Sequence, residues 1–243
     1  LSYGFTSANI LREETRYQYM KEIVDRLKLE IDDENEFISG VLAEISLIKN
    51  ERISLDHYFS KNCAEDIFRK IYEAYEQRKR NARLIDFDDM LFACKRLLKT
   101  DQALRSSWQR RFRHILIDEF QDCNPVQYEV IKLLSEVPHN IFAVGDDDQS
   151  IYGFRGADPD IMRRFADEFA ARRLLLNLNY RCKREIVTAS LAVIGENRNR
   201  FPKELQAAEN SGDRALALRH FTDRKEQDVW LLREAEQWKS RAA

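Results

Sequence analysis

The stretch Val144-Gly145-Asp146-Asp147-Asp148-Gln149-Ser150-Ile151-Tyr152-Gly153-Phe154-Arg155 decides the reading of this chain, because another acidic cluster, Asp118-Glu119-Phe120-Gln121-Asp122, stands just upstream. Each cluster follows a short apolar run: Ile115-Leu116-Ile117 before the first, Ile141-Phe142-Ala143-Val144 before the second. Short unbroken runs of this kind read as strands buried on both faces, as in a parallel sheet. Ligands of such sheets bind beyond the carboxyl ends of the strands. Two neighbouring strands would therefore deliver Asp118, Glu119 and Gln149 to one crevice. Carboxylates there suit a Mg²⁺ ion that keeps its waters and bridges nucleotide phosphates, which is the chemistry of nucleotide hydrolysis.

Moving outward, residues 1 to about 110 read as helical. Tyr17, Met20, Val24 and Leu27 follow helical spacing, as do Phe37, Val41, Ile45 and Ile48, and then Ile67, Ile71 and Tyr75. Glu65 and Asp66 early and Arg78, Lys79 and Arg80 late match the dipole of the third of these helices. Asp86 is placed as the N-cap of a helix packing Met90, Leu91, Cys94 and Leu98, with Asp89 at the capping-box position. From about 111 strands and helices alternate, the α/β signature. Asn124-Pro125 and Asp158-Pro159 open helices, the second with an Ile161, Phe165 and Phe169 stripe. Leu174-Leu175-Leu176 and Ala215-Leu216-Ala217-Leu218 read as strands, each followed by a helix.

A phosphate-cradling loop needs glycines whose backbone N–H groups approach the ligand, then Lys and Ser/Thr. None of the seven glycines is followed by Lys, and Gly4 and Gly40 stand alone before Asp118. With Leu1 rather than Met in first place, the sequence reads as an excerpt of a longer chain, with half of an active site missing. The hydrophobic fraction of 44% and charged fraction of 34% fit a soluble globular protein. No apolar run approaches the ~20 residues of a membrane span, and no signal-peptide pattern opens the chain. The four cysteines form no CxxC and the four histidines no cluster. A reduced, cytoplasmic setting is expected. At a net charge of −2, any affinity for a polyanion would have to come from local basic patches such as Arg78-Lys79-Arg80 with Arg83, or Arg110-Arg111 with Arg113. Most such runs are solvated faces.

Asp118-Glu119-Phe120-Gln121-Asp122, the stretch from Gly145 to Ala157, and Asn179-Tyr180-Arg181 closely resemble motifs of the UvrD/Rep/PcrA-type DNA helicases of superfamily one, in order and spacing. The departure is the phosphate loop, which in that family lies N-terminal to everything present here. The resemblance implies partial RecA-like parallel-sheet motor domains with an inserted all-α subdomain. Residues 1–110 would be the inserted helical subdomain, 111–172 the second part of the first motor domain, and 173–243 the start of the second. It also implies ATP and Mg²⁺ as cofactors and 3′-to-5′ movement on single-stranded DNA and at duplex junctions, with repair or recombination proteins as partners. The isolated chain is expected to be inactive. A motor part of a RecB/AddA-like helicase–nuclease is an alternative; so, in another class, is a truncated, non-hydrolysing DNA-binding module.

Each position carries a plainer alternative. Asp118 and Glu119 could be helix-cap acids in a strand-to-helix loop. By the functional reading Asp118 holds Mg²⁺, directly or through water, and Glu119 polarises the attacking water. Asp122 could serve only to hold the loop. Gln149 offers both a donor and an acceptor, so its amide can sense a γ-phosphate without carrying charge, the role the resemblance assigns it. Asp146-Asp147-Asp148 would support the metal shell or form a solvated turn. Tyr152, Phe154 and Arg155 offer faces and charge to single-stranded bases, against the alternative of core packing. Gly153 and Gly156 favour an exposed bend there. By resemblance Arg181 is an arginine finger and Tyr180 stacks on adenine, against a surface salt bridge and a core tyrosine.

Overall fold

A computed structural model of the chain describes residues 4–51, 53–136, 140–153, 156–208 and 217–241. It divides into two compact units, Leu1–Arg173 and Leu174–Ala243. The first unit opens with three helices, α1 (Glu13–Leu27), α2 (Glu34–Glu51) and α3 (Glu65–Ala82). Their apolar positions recur at three and four residues, so each helix turns one stripe inward. Met20, Val24, Val41, Ile45, Ile48, Ile71 and Tyr75 are buried in one core, and Tyr17, Leu27, Phe37 and Ile67 pack half-buried around it. Helices α1 and α3 stop at Lys28 and Arg83, both in the left-handed region at φ 50° and 52°. This reversal satisfies terminal carbonyls of a helix.

Helix α4 (Phe87–Thr100) starts as its sequence dictates. The Asp86 carboxylate accepts from the Asp89 N–H at 2.8 Å, and the Asp89 carboxylate accepts from the Asp86 N–H at 3.1 Å. One expectation for α4 fails: Cys94 is exposed, and its neighbour Lys95 is buried instead, paired with Glu129. The Lys95 stem supplies the apolar contact while its head finds a carboxylate. Helix α5 (Gln102–Arg111), capped by Asp101, then leads into the sheet.

Between α2, α3 and α4 lies a buried ionic knot. Lys79 Nζ stands 2.5 Å from Asp86, 2.6 Å from Asp89 and 2.8 Å from Glu76. Lys49 Nζ reaches the same three carboxylates at 3.0, 2.8 and 2.8 Å. Lys79 is thereby removed from the basic patch read in the sequence: only 1% of it is exposed, so it cannot meet a DNA backbone. Burial opposes the charge on Lys49, but the Asp86, Asp89 and Glu76 carboxylates outweigh it and hold the ammonium's pKa above the ordinary range. Burial likewise opposes the charge on Asp86, and the two lysines overcome it, holding this carboxyl well below the usual carboxylate range.

Strands β1 (Ile115–Ile117) and β2 (Ile141–Ala143) pair in parallel, with Ile115 opposite Ile141, Leu116 opposite Phe142 and Ile117 opposite Ala143. Helix α6 (Pro125–Ser135) follows β1, with Asn124 and Gln127 forming a capping box and Pro125 in the first turn. Helix α7 (Asp160–Glu168) follows β2. Ile117 and Ala143 pack against the cluster of Phe120, Tyr128, Ile161 and Phe165. The Phe120 ring meets those of Phe165 and Tyr128 edge-on, at 5.1 and 6.2 Å between centroids. The expectation of burial on both faces is corrected, because Leu116 and Phe142 are 74% and 56% exposed. Side chains alternate along a strand, so helices packed on one face leave every second residue uncovered.

The second unit contains β3 (Leu178–Asn179), α8 (Arg184–Ile194), β4 (Gln206–Ala207) and α9 (Arg224–Arg241), with β3 and β4 parallel. Leu174-Leu175-Leu176 is not a strand: it is exposed, and the ladder instead begins at Leu178, opposite Gln206. Apolar character alone cannot register a strand without a partner to bond. Of the strand expected at 215–218, Ala215 and Leu216 lie outside the described residues, and Ala217 and Leu218 are in no strand. Among the described residues, no helix is long and apolar enough to cross a membrane.

Candidate functional site

The parallel register brings the two acidic loops to the same end of β1 and β2. The ladder continues past the strands, as Val144 N–H donates to Ile117 O and Phe120 N–H donates to Val144 O, both at 2.8 Å. The loop after β1 is therefore stitched to the loop after β2 at its first turn. Between these bonds Asp118 and Glu119 project as exposed residues. The Asp118 carboxylate accepts from the Glu119 N–H at 2.9 Å.

Glu119 sits at φ 50° and ψ 44°, in the left-handed region. A side chain there costs about 1–2 kcal/mol and persists only when its surroundings impose it. The strain turns the chain sharply into a short 3₁₀ turn, Phe120–Asp122, burying Phe120 beneath the sheet while leaving Glu119 outside. The Asp122 Oδ1 atom is buried with no hydrogen-bond partner among the described residues. Burial and the adjacent Asp122 push the Cys123 thiol up to about 11, so it is no nucleophile at neutral pH.

Gln149 is exposed and ends a 3₁₀ turn, Asp147–Gln149, capped by Asp146. Its Nε2 donates to Asp146 Oδ2 at 2.7 Å. The Asp146 N–H in turn donates to Gln121 Oε1 at 3.0 Å, and Gln121 Nε2 donates to Glu119 Oε2 at 2.8 Å. Asp118, Glu119 and Gln149 thus belong to one hydrogen-bonded assembly; of its two middle members, Asp146 was expected only to support the metal shell or a solvated turn, and Gln121 was given no part in the chemistry by the sequence. The signal that could have found Gln121 is an amide two residues beyond an acidic pair, at a position that folds inward. Gly145 is required by the same contact: a Cβ there would lie 2.8 Å from Gln121 Oε1 and 3.2 Å from the Phe120 and Gln121 nitrogens.

The donor set suits a hard divalent cation. Carboxylate oxygens of Asp146, Asp147 and Asp148 lie within 4.8 Å of one another. With Asp118 at the neighbouring strand end and the Asp122 oxygen unpartnered, the loops offer the oxygen ligands that Mg²⁺ takes. Among the described residues the other acidic group of this size, Glu76, Asp86 and Asp89, is already satisfied by Lys49 and Lys79.

Tyr152 is half-buried, and its carbonyl accepts from the Ala157 N–H at 3.2 Å, closing the bend in which Gly156 takes φ 80°. Phe154 and Arg155 lie outside the described residues. Under the bend, Asn124 Nδ2 donates to Asn50 Oδ1 at 3.2 Å, and Asn50 Nδ2 donates to Asp88 at 2.9 Å. Asn124 therefore caps α6 and ties the acidic loop to α2 and α4. In the second unit the Asn179 carboxamide accepts from the Arg181 and Cys182 N–H groups at 2.9 and 2.8 Å, making a turn that holds Tyr180 and Arg181 outward. Tyr180 is 81% exposed and so is not a core tyrosine.

Acidic and amide side chains gathered beyond the carboxyl ends of parallel strands are the mark of α/β proteins that handle nucleotide phosphates. The particular branch follows from sequence comparison: the profile of the UvrD/REP helicase N-terminal domain matches residues 5–170, and the chain belongs to this family. It is 38% identical over 194 residues to YjcD of Bacillus subtilis (strain 168), which covers 79% of this chain and 25% of that protein. To the ATP-dependent DNA helicase PcrA of Leuconostoc citreum it is 31% identical over 216 residues, 87% of this chain and 28% of the relative. To DNA helicase II of Escherichia coli (strain K12) it is 34% identical over 198 residues, 81% of this chain and 27% of the relative. The chain spans about a quarter of the length of these relatives.

Proposed function

We propose that this chain is part of an ATP-dependent DNA helicase or translocase, coupling ATP hydrolysis to 3′-to-5′ movement on single-stranded DNA and at duplex junctions. The observation that carries the reading is the hydrogen-bonded assembly of Asp118, Glu119, Gln121, Asp146 and Gln149 at one end of a parallel strand pair. Asp118 holds Mg²⁺, which when bound neutralises phosphate charge. Glu119 is the general base that takes a proton from the attacking water, and its exposed carboxylate supports that role. Gln149 senses the γ-phosphate. Arg181 completes the charge compensation as an arginine finger, and Tyr180 stacks on adenine; their exposed turn suits groups that meet a ligand. Tyr152, Phe154 and Arg155 grip single-stranded DNA. In this reading residues 1–110 form the helical insertion, 111–172 part of the first motor domain and 173–243 the start of the second. The protein works in the cytoplasm with repair or recombination proteins.

The test is oligothymidine-stimulated ATP hydrolysis by the full-length protein and its Glu119→Gln variant. The substitution keeps shape and removes the base, so kcat should fall about 10²–10⁴-fold with KM for ATP nearly unchanged. A variant that turns over at the wild-type rate would refute the assignment.

A further inference from the structure

Gln121 lies between two groups that the proposed chemistry needs to act together. It is 2% exposed, although it is an amide between Phe120 and Asp122 in a short 3₁₀ turn. Its two polar ends are spent in opposite directions: Nε2 donates to the Glu119 carboxylate at 2.8 Å, and Oε1 accepts from the Asp146 N–H at 3.0 Å. Its backbone carbonyl accepts from Ser150 Oγ at 3.3 Å, so the same residue is fastened to both ends of the turn bearing Gln149. On the far side Gly145 leaves no slack, since even a methyl group there would collide with Oε1 at 2.8 Å. A side chain bonded at both polar ends, with its acceptor end close against Gly145, transmits a shift of one loop to the other.

We infer that Gln121 is a positioning residue that sets the Glu119 carboxylate according to the position of the loop running from Gly145 to Ser150. Three features support this over a merely structural role. A buried hydrogen bond needed only for stability could end on any acceptor, whereas this one ends on an exposed carboxylate that gains nothing in burial. The donor end can only be an N–H, because Glu119 when ionised accepts and does not donate. The acceptor end grips a backbone N–H, so it follows the loop rather than one side chain. The Glu119 backbone, in its left-handed conformation, has little freedom of its own to follow the amide, so the hydrogen bond from Gln121 has to orient the carboxylate. A displacement of about 1 Å in a reacting group can lower a rate about 10²-fold, so a small loop movement is enough to switch turnover. The inference deepens the proposed function and rests on it: DNA that shifts the turn from Asp146 to Ser150 would reach the water-activating carboxylate through Gln121.

The experiment uses the full-length protein, with ATP turnover measured with and without oligothymidine across pH, and thermal melts as the folding control. Gln121→Leu keeps the volume and removes both hydrogen bonds. It should lower DNA-stimulated kcat about 10–10²-fold, leave KM for ATP within about twofold, and bring the ratio of stimulated to unstimulated turnover close to one. Gln121→Glu keeps the shape but sets a second carboxylate against Glu119, so the acidic limb of the kcat–pH profile should move to higher pH. This second variant decides the matter if the leucine variant melts early. Unchanged stimulation and an unchanged pH limb in folded variants would overturn the coupling while leaving the proposed function standing. Absence of DNA-stimulated turnover in the wild-type protein would instead remove the proposed function, and the coupling with it.

Discussion

Replacing Asp86 by Asn probes what holds the helices together under the acidic loop. Asp86 Oδ2 accepts from Lys79 at 2.5 Å, from Lys49 at 3.0 Å and from the Tyr75 hydroxyl at 3.4 Å, while Oδ1 caps the Asp89 N–H at 2.8 Å. Removing one partner of a buried ion pair costs about 3–5 kcal/mol, because the other charge is left uncompensated. Here both lysines retain Glu76 and Asp89, so the lower end applies, about 3 kcal/mol. Asp86→Ala loses the cap as well, worth about 1 kcal/mol more, whereas Asn caps nearly as well as Asp. In a chain of this size each kcal/mol moves Tm by about 2–4 °C, so Asp86→Asn should melt about 6–12 °C lower.

The pH dependence follows from the direction of the shift. Lys49 and Lys79 overcome the burial of Asp86 and hold its folded pKa below the unfolded value, which is about 3.9. Its contribution is therefore complete above that unfolded value and lost as pH falls through the folded one. Urea unfolding of wild type and variant at pH 7, 4 and 2.5 should show a difference that is largest at pH 7 and shrinks on acidification. A difference that stays constant with pH, or is below about 1 kcal/mol at pH 7, would mean that the knot does not stabilise the fold as its geometry implies.

Two glycines of one bend should respond oppositely to alanine. Gly156 has φ 80° and an added Cβ would press on Asn50 Cβ at 3.2 Å, so Gly156→Ala should destabilise by at least about 1–2 kcal/mol in urea melts. An added Cβ at Gly153 meets nothing within 4 Å, so Gly153→Ala should be neutral or stabilise by up to about 1 kcal/mol; equal losses at both sites would contradict the bend geometry. Phe154→Ala should weaken single-strand binding by about 1–3 kcal/mol in fluorescence titrations, with DNA-independent hydrolysis changing far less. A stability loss of about 3–5 kcal/mol with unchanged DNA affinity per folded molecule would instead make Phe154 a core residue.

Local signals in the sequence were enough wherever the chain's own neighbours decide conformation. The cap at Asp86 with Asp89, the start at Asn124-Pro125, and the stripes through Met20, Val41, Ile71 and Ile161 all appear as read, since caps and helical periodicity act within about one turn. The two apolar runs before the acidic clusters likewise pair in parallel, and parallel pairing is enough to place Asp118, Glu119 and Gln149 at one strand end. Where the outcome depended on distant partners the sequence was silent or misleading. Leu174-Leu175-Leu176 has strand composition but no ladder, and Leu116 and Phe142 have core composition but no cover. Lys79 looks like part of a surface patch, yet only the packing of α2, α3 and α4 reveals three carboxylates waiting for it. The same holds for Gln121. Its residue type says only that it can donate and accept; which groups it joins depends on two loops meeting across parallel strands, a contact between positions far apart in the chain that only the tertiary structure could decide.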